Sequence, residues 1–530
     1  MTALLVAIAS GIAFFALASP NLTAQGAFYD ELHQATGAFA YIGQNVHIFV
    51  RAKSLGLPVL NMSYSGAIKT ALYGVYLRLS GEPFTLWSWR VLGIVFVSLG
   101  LVTFVRLGFR LLGSFGTVVF LALFLTDATV LVATRHDWGP VALALALRLL
   151  FLGVWLADES RPLRSPWNPF WLGLLVGIAT FEKLISAVLL VPLAILLLSR
   201  PDRRSLRQWF VAILGGLLGA APLIAINVAI FLSEGRLVSL ESFAEASPWA
   251  KPSFAAFLLE YVNLGWGMEV GSVVLGRSSS SSLLVEALPC SILVAIAAGN
   301  IALRRRNALF GQSTVLLACY FAIGGALYLV PNTTWIHHWL IGTPFQYLAL
   351  TLTAVGLWRT ASFQTSRLRV IRSALLSTIL LWIVAQGVRL AEIEGSLFRG
   401  DASSGWHPSL NELGRFAGRR RGHAFFIVAS WGLGTQIACF GQGGEGLVYE
   451  LFWRYRGPED LAGLANAHRD VDLYVVARTY VIPILPDLEA RAQHILADIP
   501  TLAGWVEQPV EKDVGALPGI VVRKFVYRES

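Results

Sequence analysis

Acidic, basic and imidazole side chains are concentrated in four short segments among long apolar stretches of the sequence, and three of the segments combine an acid with a basic or imidazole group. The segments are Tyr29-Asp30-Glu31-Leu32-His33, Thr134-Arg135-His136-Asp137-Trp138-Gly139-Pro140, Glu182-Lys183 and Trp335-Ile336-His337-His338-Trp339. A carboxylate can deprotonate a nucleophile, and Lys, Arg or His can stabilise the charge of a leaving phosphate. The combination therefore suits a transfer reaction in which a phosphate departs. Transfer of a sugar from a phosphate needs only one such base, since phosphate leaves without an acid catalyst.

The surrounding composition indicates a membrane protein. Hydrophobic residues make up 55% of the 530 residues, and the mean hydropathy is +0.63, which exceeds what a water-exposed surface tolerates. Apolar runs of helical length recur at 3–18, 89–105, 115–133, 139–157, 171–198, 209–232, 284–303, 313–330, 340–358 and 374–390. Because the run 171–198 is long enough for two passes, these runs predict a polytopic α-helical protein with about eleven transmembrane helices.

Two of these runs need a more detailed interpretation. The run 171–198 contains Glu182 and Lys183 at its centre, and charges in bare hydrocarbon are costly. We therefore expect two short helices that meet at these residues near an interface. The first run ends in Ala16, Ala18 and Ser19, which resemble a signal cleavage region, but it lacks a basic segment before it, which favours a membrane anchor.

The positions of the arginines predict the orientation, because positively charged short loops stay in the cytoplasm. Arginines occupy every second connection, at positions 106, 110, 161, 164, 200, 203, 204, 207, 304–306, 359, 367, 369 and 372. This alternation predicts a cytoplasmic N-terminus and an outer C-terminal domain, if the segment Gly66 to Leu79 lies on the membrane without crossing it. It also accounts for most of the net charge of +9, so the charge does not indicate nucleic-acid binding. The four polar segments then face the outer side.

The hydropathy pattern divides the chain into residues 1–400, a transmembrane domain with outward loops at 21–87 and 233–282, and residues 401–530, a soluble domain. In the second part, the segments 424–429, 472–477 and 519–527 have the pattern of strands, and 486–497 has that of an amphipathic helix. A small C-terminal α/β domain is therefore expected. Its glycine-rich segment 441–446 is typical of a flexible connection, and a phosphate-binding loop is the alternative.

Several of these residues match the pattern of a known family. Asp30 and Glu31 follow the first helix and precede a long amphipathic segment, 44–80, after which Arg90 opens the second long helix. A short helix with glycines at 173 and 177 then ends at Lys183. In these features the chain resembles the GT-C superfamily of polyprenyl-phosphate-sugar glycosyltransferases, most closely the branch of protein O-mannosyltransferases and aminoarabinose transferases.

The resemblance implies an inverting glycosyltransferase of the bacterial inner membrane, with its C-terminal domain in the periplasm. A monosaccharide would pass from a polyprenyl-phosphate donor to a glycan, lipid or protein acceptor on the outer face. The role of catalytic base falls by resemblance on Asp30 first and Glu31 second, and Lys183 coincides with a position of the family. From the chemistry of the outward segments, donor-phosphate binding is expected of Lys183, Arg135, His337 and His338, and a supporting acid of Asp137. Many relatives carry Arg or Tyr where this chain has the two histidines. No cofactor is implied and, as a DxD motif is missing from the outward loops, neither is a divalent cation, although metal dependence stays open.

Each of these residues also has a purely structural explanation. Asp30 and Glu31 could mark a solvated helix boundary, Asp137 could cap the helix that follows Pro140, and Lys183 could extend to the interface without touching a substrate. The two histidines could be packing residues. For Asp127 and Arg148 we expect a structural pairing across the hairpin between their helices, because an unpaired charge at that depth is expensive.

Two other functions are compatible with the composition. A transporter or flippase of an amphipathic substrate would place charged or broken-helix sites near the bilayer midplane and would often show repeated halves. The one-sided clustering of polar segments argues against this function. A structural subunit with a receptor-like outer domain would leave Asp30 and Lys183 freely replaceable.

Overall fold

The structure is a computed structural model that describes residues 1–46, 48–160, 165, 167–199, 205–241, 252–276, 283–331, 336–360, 366–480 and 486–528. Trp335 of the last polar segment and the arginines at 161, 164, 200, 203 and 204 lie outside these ranges. The chain forms two compact units. The helical unit comprises Met1–Asn21, Ser63–Gly66 and Arg90–Asp401, and the sheet unit comprises Leu22–Met62, Ala67–Trp89 and Ala402–Ser530.

Apolar helices make up most of the helical unit. The early ones are α1 (Thr2–Ala18), α4 (Leu86–Leu125), α5 (Ala128–His136), α6 (Val141–Glu159), α7 (Asn168–Glu182), α8 (Leu190–Leu198), α9 (Leu206–Gly219) and α10 (Ala221–Glu234). The later ones are Phe254–Asn263, Met268–Leu275, Leu283–Leu303, Ala308–Leu329, Ile336–Trp339, Phe345–Arg359 and Ser366–Phe398. The helix α4 is interrupted at Gly113, whose φ of 65° breaks the helical backbone.

Five helices within the described ranges are long and apolar enough to cross a membrane. They are Leu86–Leu125, Val141–Glu159, Ala308–Leu329, Ile336–Arg359 and Leu368–Phe398. The pair α9 and α10 is bent by 65° and could form a sixth span, and Thr2–Ala18, Leu184–Leu198 and Ala287–Leu303 are shorter apolar helices. The chain is thus a multi-pass helical protein. The predicted number of about eleven transmembrane helices is not confirmed, because several of the predicted apolar runs are broken into helices shorter than a membrane crossing.

The break predicted at Glu182 and Lys183 is confirmed. The helix α7 ends at Glu182, Lys183 adopts an extended backbone with φ −148° and ψ 111°, and a 3-10 turn over Leu184–Leu189 leads into α8. The glycines of α7 serve a packing function, since a Cβ at Gly177 would lie 2.2 Å from the Gly216 carbonyl oxygen of α9. Small residues thus allow the backbones of α7 and α9 to touch, as is common between membrane helices.

The C-terminal part of the sheet unit is a small α/β domain. Its strands are β4 (Ala424–Val428), β5 (Val448–Glu450), β6 (Asp472–Arg478), β7 (Trp505–Gln508) and β8 (Ile520–Tyr527). They lie in the order β5-β4-β6-β8-β7, with β4 parallel to β5 and β6, and β8 antiparallel to β6 and β7. Helices Ser409–Arg419, Gly434–Phe440, Pro458–Asn466, Pro486–Asp498 and Lys512–Gly515 connect or precede them. The predicted strands β4, β6 and β8 and the helix beginning at Pro486 are confirmed.

The first loop supplies the rest of the sheet unit. It contains α2 (Tyr29–Ala38), the antiparallel strands β1 (Ala52–Ser54) and β2 (Leu57–Met62), and α3 (Ile68–Ser80), while β3 (Ser65–Gly66) belongs to the helical unit. With 13 residues, α3 is too short to count among the candidate spans. The 3-10 turn Phe39–Ile42 follows α2 directly.

The predicted pairing of Asp127 with Arg148 is wrong. Both residues are described and buried, but Asp127 caps α5, where its Oδ1 accepts hydrogen bonds from the backbone N–H groups of Thr129 and Val130 at 2.8 and 3.1 Å. The Tyr347 hydroxyl donates to its other oxygen at 2.5 Å. Arg148 instead donates from Nε to the Thr343 carbonyl oxygen at 2.9 Å. The need of the helix end for an acceptor outweighs the expected attraction between the charges.

Candidate active site

Asp30 and Glu31 occupy the first turn of α2 but have different surroundings. Glu31 is 1% exposed, and its Oε2 accepts a hydrogen bond from the backbone N–H of Phe28 at 3.3 Å, so its carboxylate closes the N-terminus of the helix. Asp30, by contrast, is partly exposed. A base must reach its substrate, so the geometry favours Asp30 over Glu31 for proton abstraction.

Residues of the C-terminal domain hold the start of α2 in place. The Tyr29 hydroxyl donates to Glu450 Oε1 at 2.8 Å, and Thr435 Oγ1 donates to the Tyr29 carbonyl oxygen at 3.2 Å. The Phe28 ring stacks on Trp406 at a centroid distance of 4.3 Å. Because these contacts lie directly beside Asp30, the α/β domain fixes the backbone that carries the candidate base.

The Glu450 carboxyl is buried and has a shifted pKa. Removal from water raises the pKa of Glu450 from 4.5 to about 7, although hydrogen bonds from Tyr29 and Trp453 act in the opposite direction. Burial and the charge of Glu450 in turn raise the pKa of Tyr29 well above its usual value, so this hydroxyl stays a donor. The network therefore links the rigidity of α2 to the protonation of one carboxyl group.

Lys69 is a buried cation near the other side of α2. It is 0% exposed, and its Nζ lies 3.7 Å from the centroid of the Trp89 ring. The Nε1 of Trp89 donates to the Glu31 carbonyl oxygen at 3.1 Å. Lys69 is not among the site residues predicted from the sequence. Its one signal there is that it is a lysine within the amphipathic segment 44–80, which follows the acidic pair Asp30 and Glu31.

Three of the predicted polar segments meet in the helical unit around Gly139. Lys183 Nζ donates to the Gly139 carbonyl oxygen at 2.7 Å. A methyl group at Gly139 would lie 3.3 Å from this nitrogen and 3.4 Å from His337 Nε2, so both groups face the same small space. The ring of His338 lies 4.1 Å from that of His337, centroid to centroid. Lys183, His337 and His338 thus form one cluster, as expected for a shared anion ligand.

The backbone around Lys183 is fixed by the segment that follows β2. Ser65 forms an antiparallel bridge with Lys183, and the Leu184 N–H donates to the Tyr64 carbonyl oxygen at 2.9 Å. Lys183 is 3% exposed despite its charge. Because Lys183 is extended and lies between α7 and the 3-10 turn, its side chain is not restricted to the directions that a helical backbone imposes.

Asp137 caps α6, as one of its two explanations predicts. Its Oδ1 accepts a hydrogen bond from the Ala142 N–H at 2.7 Å, and the residue is 2% exposed. Its φ of 43° turns the chain between α5 and α6. The carboxylate therefore has a structural partner, and its role as a supporting acid stays a prediction.

Arg135 is held by partners within the helical unit. Its Nη2 lies 2.9 Å from Glu394 Oε1, its Nη1 lies 3.2 Å from Glu394 Oε2, and its Nε donates to the Ala18 carbonyl oxygen at 3.0 Å. It is 2% exposed. The guanidinium thus ties the C-terminus of α1 to the helix Ser366–Phe398, and binding a donor phosphate would require at least one of these bonds to break.

The predicted site residues thus fall into two groups. Asp30 and Glu31 belong to the sheet unit, and Lys183, Arg135, Asp137, His337 and His338 belong to the helical unit. Among the described residues, no three His, Cys, Asp or Glu side chains are grouped so that they could hold a metal ion together.

Comparison with solved structures shows that the fold of this chain is similar to that of ArnT, so the resemblance seen in the sequence is confirmed at the level of the fold. ArnT from Cupriavidus metallidurans bound to undecaprenyl phosphate is similar with a TM-score of 0.60 and 13% identity, over 98% of this chain and 97% of that chain. Its apo state gives a TM-score of 0.59 and 12% identity over the same shares. An oligosaccharyltransferase from Archaeoglobus fulgidus, tethered to an acceptor peptide, gives a TM-score of 0.46 and 11% identity, over 100% of this chain and 74% of that chain. The sequence matches no known protein-family model and no curated protein.

Proposed function

We propose that the chain is an inverting glycosyltransferase that moves a monosaccharide from a polyprenyl-phosphate donor to an acceptor on the outer face of a bacterial inner membrane. The observation that carries the proposal is the likeness of fold to ArnT, which extends over 98% of this chain. That relative was solved with undecaprenyl phosphate, a lipid of the class that the reaction would release. The acceptor would be a glycan, lipid or protein.

The reaction begins with proton transfer to Asp30. Its carboxylate takes the proton of an acceptor hydroxyl, and the acceptor oxygen attacks the anomeric carbon from the face opposite the phosphate. The bond between the anomeric carbon and the phosphate oxygen breaks, and its electron pair stays on the phosphate. One base and no acid are required, because phosphate is a good leaving group, and the configuration at the anomeric carbon is inverted.

The cluster of Lys183, His337 and His338 is the candidate ligand of the donor phosphate. Lys183 supplies a full positive charge whose position is fixed by the Gly139 carbonyl oxygen, and the imidazoles add donors beside it. The partly exposed carboxylate of Asp30 and its anchored helix support the role of base. Arg135 and Asp137 would support the site through the helices that they fix, since both have structural partners.

The proposed arrangement in the membrane follows the arginine pattern. The N-terminus would lie in the cytoplasm, α3 would rest on the outer surface, and the α/β domain would lie in the periplasm. In this arrangement the chain would cross the membrane about eleven times, with the broken helices completing short or re-entrant passes. The four polar segments would then face the outer compartment, and the arginine-rich connections would face the cytoplasm.

The test is release of free polyprenyl phosphate from a panel of polyprenyl-phosphate sugars by purified full-length protein in liposomes, with crude envelope acceptor. Wild type is compared with Asp30→Asn and with Asp470→Asn, a matched change at an exposed aspartate of the same unit. Circular dichroism and gel filtration first establish that all three proteins are folded.

We expect release by wild type and Asp470→Asn, and a loss of at least about 100-fold in Asp30→Asn, the order expected for removal of a general base. Equal release by all three proteins would exclude Asp30 as the base. Movement of a donor lipid across the bilayer without release of phosphate would instead support a transporter or flippase.

A further inference from the structure

The carboxyl end of β6 carries a buried arginine that is not among the site residues predicted from the sequence. Arg478 is the last residue of this strand and is 5% exposed. Its Nη2 donates to the Gly432 carbonyl oxygen at 3.0 Å. Among the residues that the structure describes, no acceptor lies within hydrogen-bond distance of its Nε or Nη1.

Such a group is unusual, because an arginine keeps its charge when it is buried and needs partners for all its N–H groups. Arg135 shows how this chain satisfies a structural arginine, with both oxygens of Glu394 and a backbone carbonyl oxygen around the guanidinium. The Arg478 guanidinium has instead two aromatic faces, with its Cζ 5.3 Å from the Trp431 ring and 5.1 Å from the Tyr480 ring. These rings orient the planar group, and Gly432 lies at its Nε and Nη2 edge, which leaves Nη1 at the other edge for another acceptor.

The position of Arg478 in the sheet is one where ligands commonly bind. The strands β4 and β6 run parallel, and β6 is the strand at which the pairing changes from parallel to antiparallel. Ligands of open α/β sheets bind beyond the carboxyl ends of parallel strands. The segment after β4 completes this end, since Ser430 Oγ accepts from the Arg478 N–H at 2.8 Å. At Gly432, whose φ is 99°, a Cβ would collide with the guanidinium, so a glycine is required.

Arg478 also lies near the candidate base. The Trp431 ring, which lies 5.3 Å from the guanidinium carbon, also packs against Tyr29, with 4.6 Å between centroids, and against Phe28 at 6.0 Å. Tyr29 directly precedes Asp30, and the charge of Asp30 is close enough to act on Arg478 electrostatically. The arginine and the turn of α2 that carries the base therefore contact the same aromatic ring.

We propose that Arg478 binds a phosphate group of a substrate beside Asp30, through its Nη1. The proposal rests on the transferase function, because that reaction brings phosphate to this site. The phosphate comes either from the polyprenyl-phosphate donor or from a phosphorylated glycan acceptor, since the arginine edge recognises both in the same way. Arg478 is a binding residue, and no covalent step passes through it.

The experiment measures binding to the full-length protein in nanodiscs and requires no transfer, so a failure of the transferase function does not affect its outcome. Wild type is compared with Arg478→Met, Arg478→Lys and Arg469→Gln, the last being a matched change at an exposed arginine of the same domain. The probes are polyprenyl phosphate, polyprenol without phosphate, and a phosphorylated lipid-linked glycan. For each combination of protein and probe, the Kd and the shift of Tm on addition of the probe are recorded.

We expect Arg478→Met to weaken binding of at least one phosphate probe by about 10- to 100-fold, as for loss of a charged hydrogen bond. Arg478→Lys should recover part of this loss, Arg469→Gln should match wild type, and polyprenol should not distinguish the proteins. A loss confined to polyprenyl phosphate identifies the donor as the source, and a loss confined to the glycan identifies the acceptor.

The ligand-free proteins provide the second readout. An arginine kept for binding should be dispensable for folding, so Arg478→Met should unfold at the Tm of wild type or above it. Equal affinities of wild type and Arg478→Met for both phosphate probes, including no binding by either, overturn the proposal.

Discussion

The Tyr29 hydroxyl donates to both carboxylate oxygens of Glu450, at 2.8 and 3.0 Å, and thereby joins the turn that carries Asp30 to strand β5. The two residues are 421 positions apart in the sequence. Glu450 also accepts from Trp453 Nε1 at 2.9 Å. A single buried carboxyl group therefore supports the candidate base from the C-terminal domain.

This relationship predicts that the sheet unit loses stability as the pH rises. The pKa of Glu450 is raised in the folded state, from 4.5 to about 7, so its contribution is fully present below pH 4.5 and is lost as the pH rises through about 7. The difference corresponds to about 3 kcal/mol. Urea unfolding of wild type and Glu450→Gln between pH 5 and 8, monitored by tryptophan fluorescence, measures the contribution of Glu450 to the free energy of unfolding. The Gln variant should show a flatter pH dependence, and parallel curves for the two proteins would contradict the assignment.

Replacement of Lys183 should impair donor binding more than chemistry. Its Nζ is fixed by the Gly139 carbonyl oxygen beside His337, so Lys183→Met should raise the KM for the polyprenyl-phosphate donor by about tenfold or more, the cost of one charged hydrogen bond. Lys183→Arg should retain part of the affinity. The control is Lys512→Met, at an exposed position of the C-terminal domain. An unchanged donor KM in Lys183→Met would mean that this lysine only extends to the interface.

The contact of α7 with α9 should not tolerate a methyl group. A Cβ at Gly177 would lie 2.2 Å from the Gly216 carbonyl oxygen, so Gly177→Ala must push two helix backbones apart. We expect a loss of about 2 kcal/mol or more and a lower Tm in detergent. The matched control is Gly325→Ala in the helix Ala308–Leu329, where nothing lies within 4 Å of the added Cβ. If the two variants unfold at the same temperature, close packing does not explain the glycines.

Arg135 and Glu394 should behave as a coupled structural pair. Glu394→Gln leaves the buried Arg135 without its charged partner, which typically costs about 3–5 kcal/mol, whereas Arg135→Met should cost less because Glu394 is 19% exposed. The double variant should recover much of the larger loss. The Tm of the four proteins in a double-mutant cycle measures the coupling. If the double variant folds but still binds the donor lipid poorly, Arg135 also binds phosphate, as predicted from the cations of the outward segments.

The sequence predicted those features that depend on neighbouring residues. Short runs of apolar, mostly β-branched and aromatic residues marked β4, β6 and β8, and a charged pair inside an apolar run marked the end of α7 at Glu182. The grouping of Lys183 with His337 followed from assigning their turns to one side of the membrane. In each case the local pattern determines the structure, because buried strands and helix breaks are set by burial and by the cost of charge in hydrocarbon.

Partners of buried polar groups could not be predicted in the same way. Arg135 forms an ion pair with Glu394, 259 positions later, and Asp127 accepts a hydrogen bond from Tyr347, 220 positions later. A pattern of neighbouring residues therefore predicts neither partner. The pairing of Asp127 with Arg148 was inferred from depth alone and failed, because a helix end and a tyrosine hydroxyl compete for the same carboxylate. Contacts between residues far apart in the sequence also determine how the chain divides into compact units. Most of the first loop, residues 22–62 and 67–89, belongs to the same unit as residues 402–530.

The sequence separation within the sheet unit has a consequence for biosynthesis. Tyr29 emerges from the ribosome early, whereas Glu450 follows 421 residues later, which takes about 20–80 s at the usual rates of translation. During that interval the turn that carries Asp30 is inserted without the strand that holds it. A nascent chain, or one truncated before β5, therefore contains the candidate base in an unsupported turn, and this turn is held in place only after nearly the whole protein has been made.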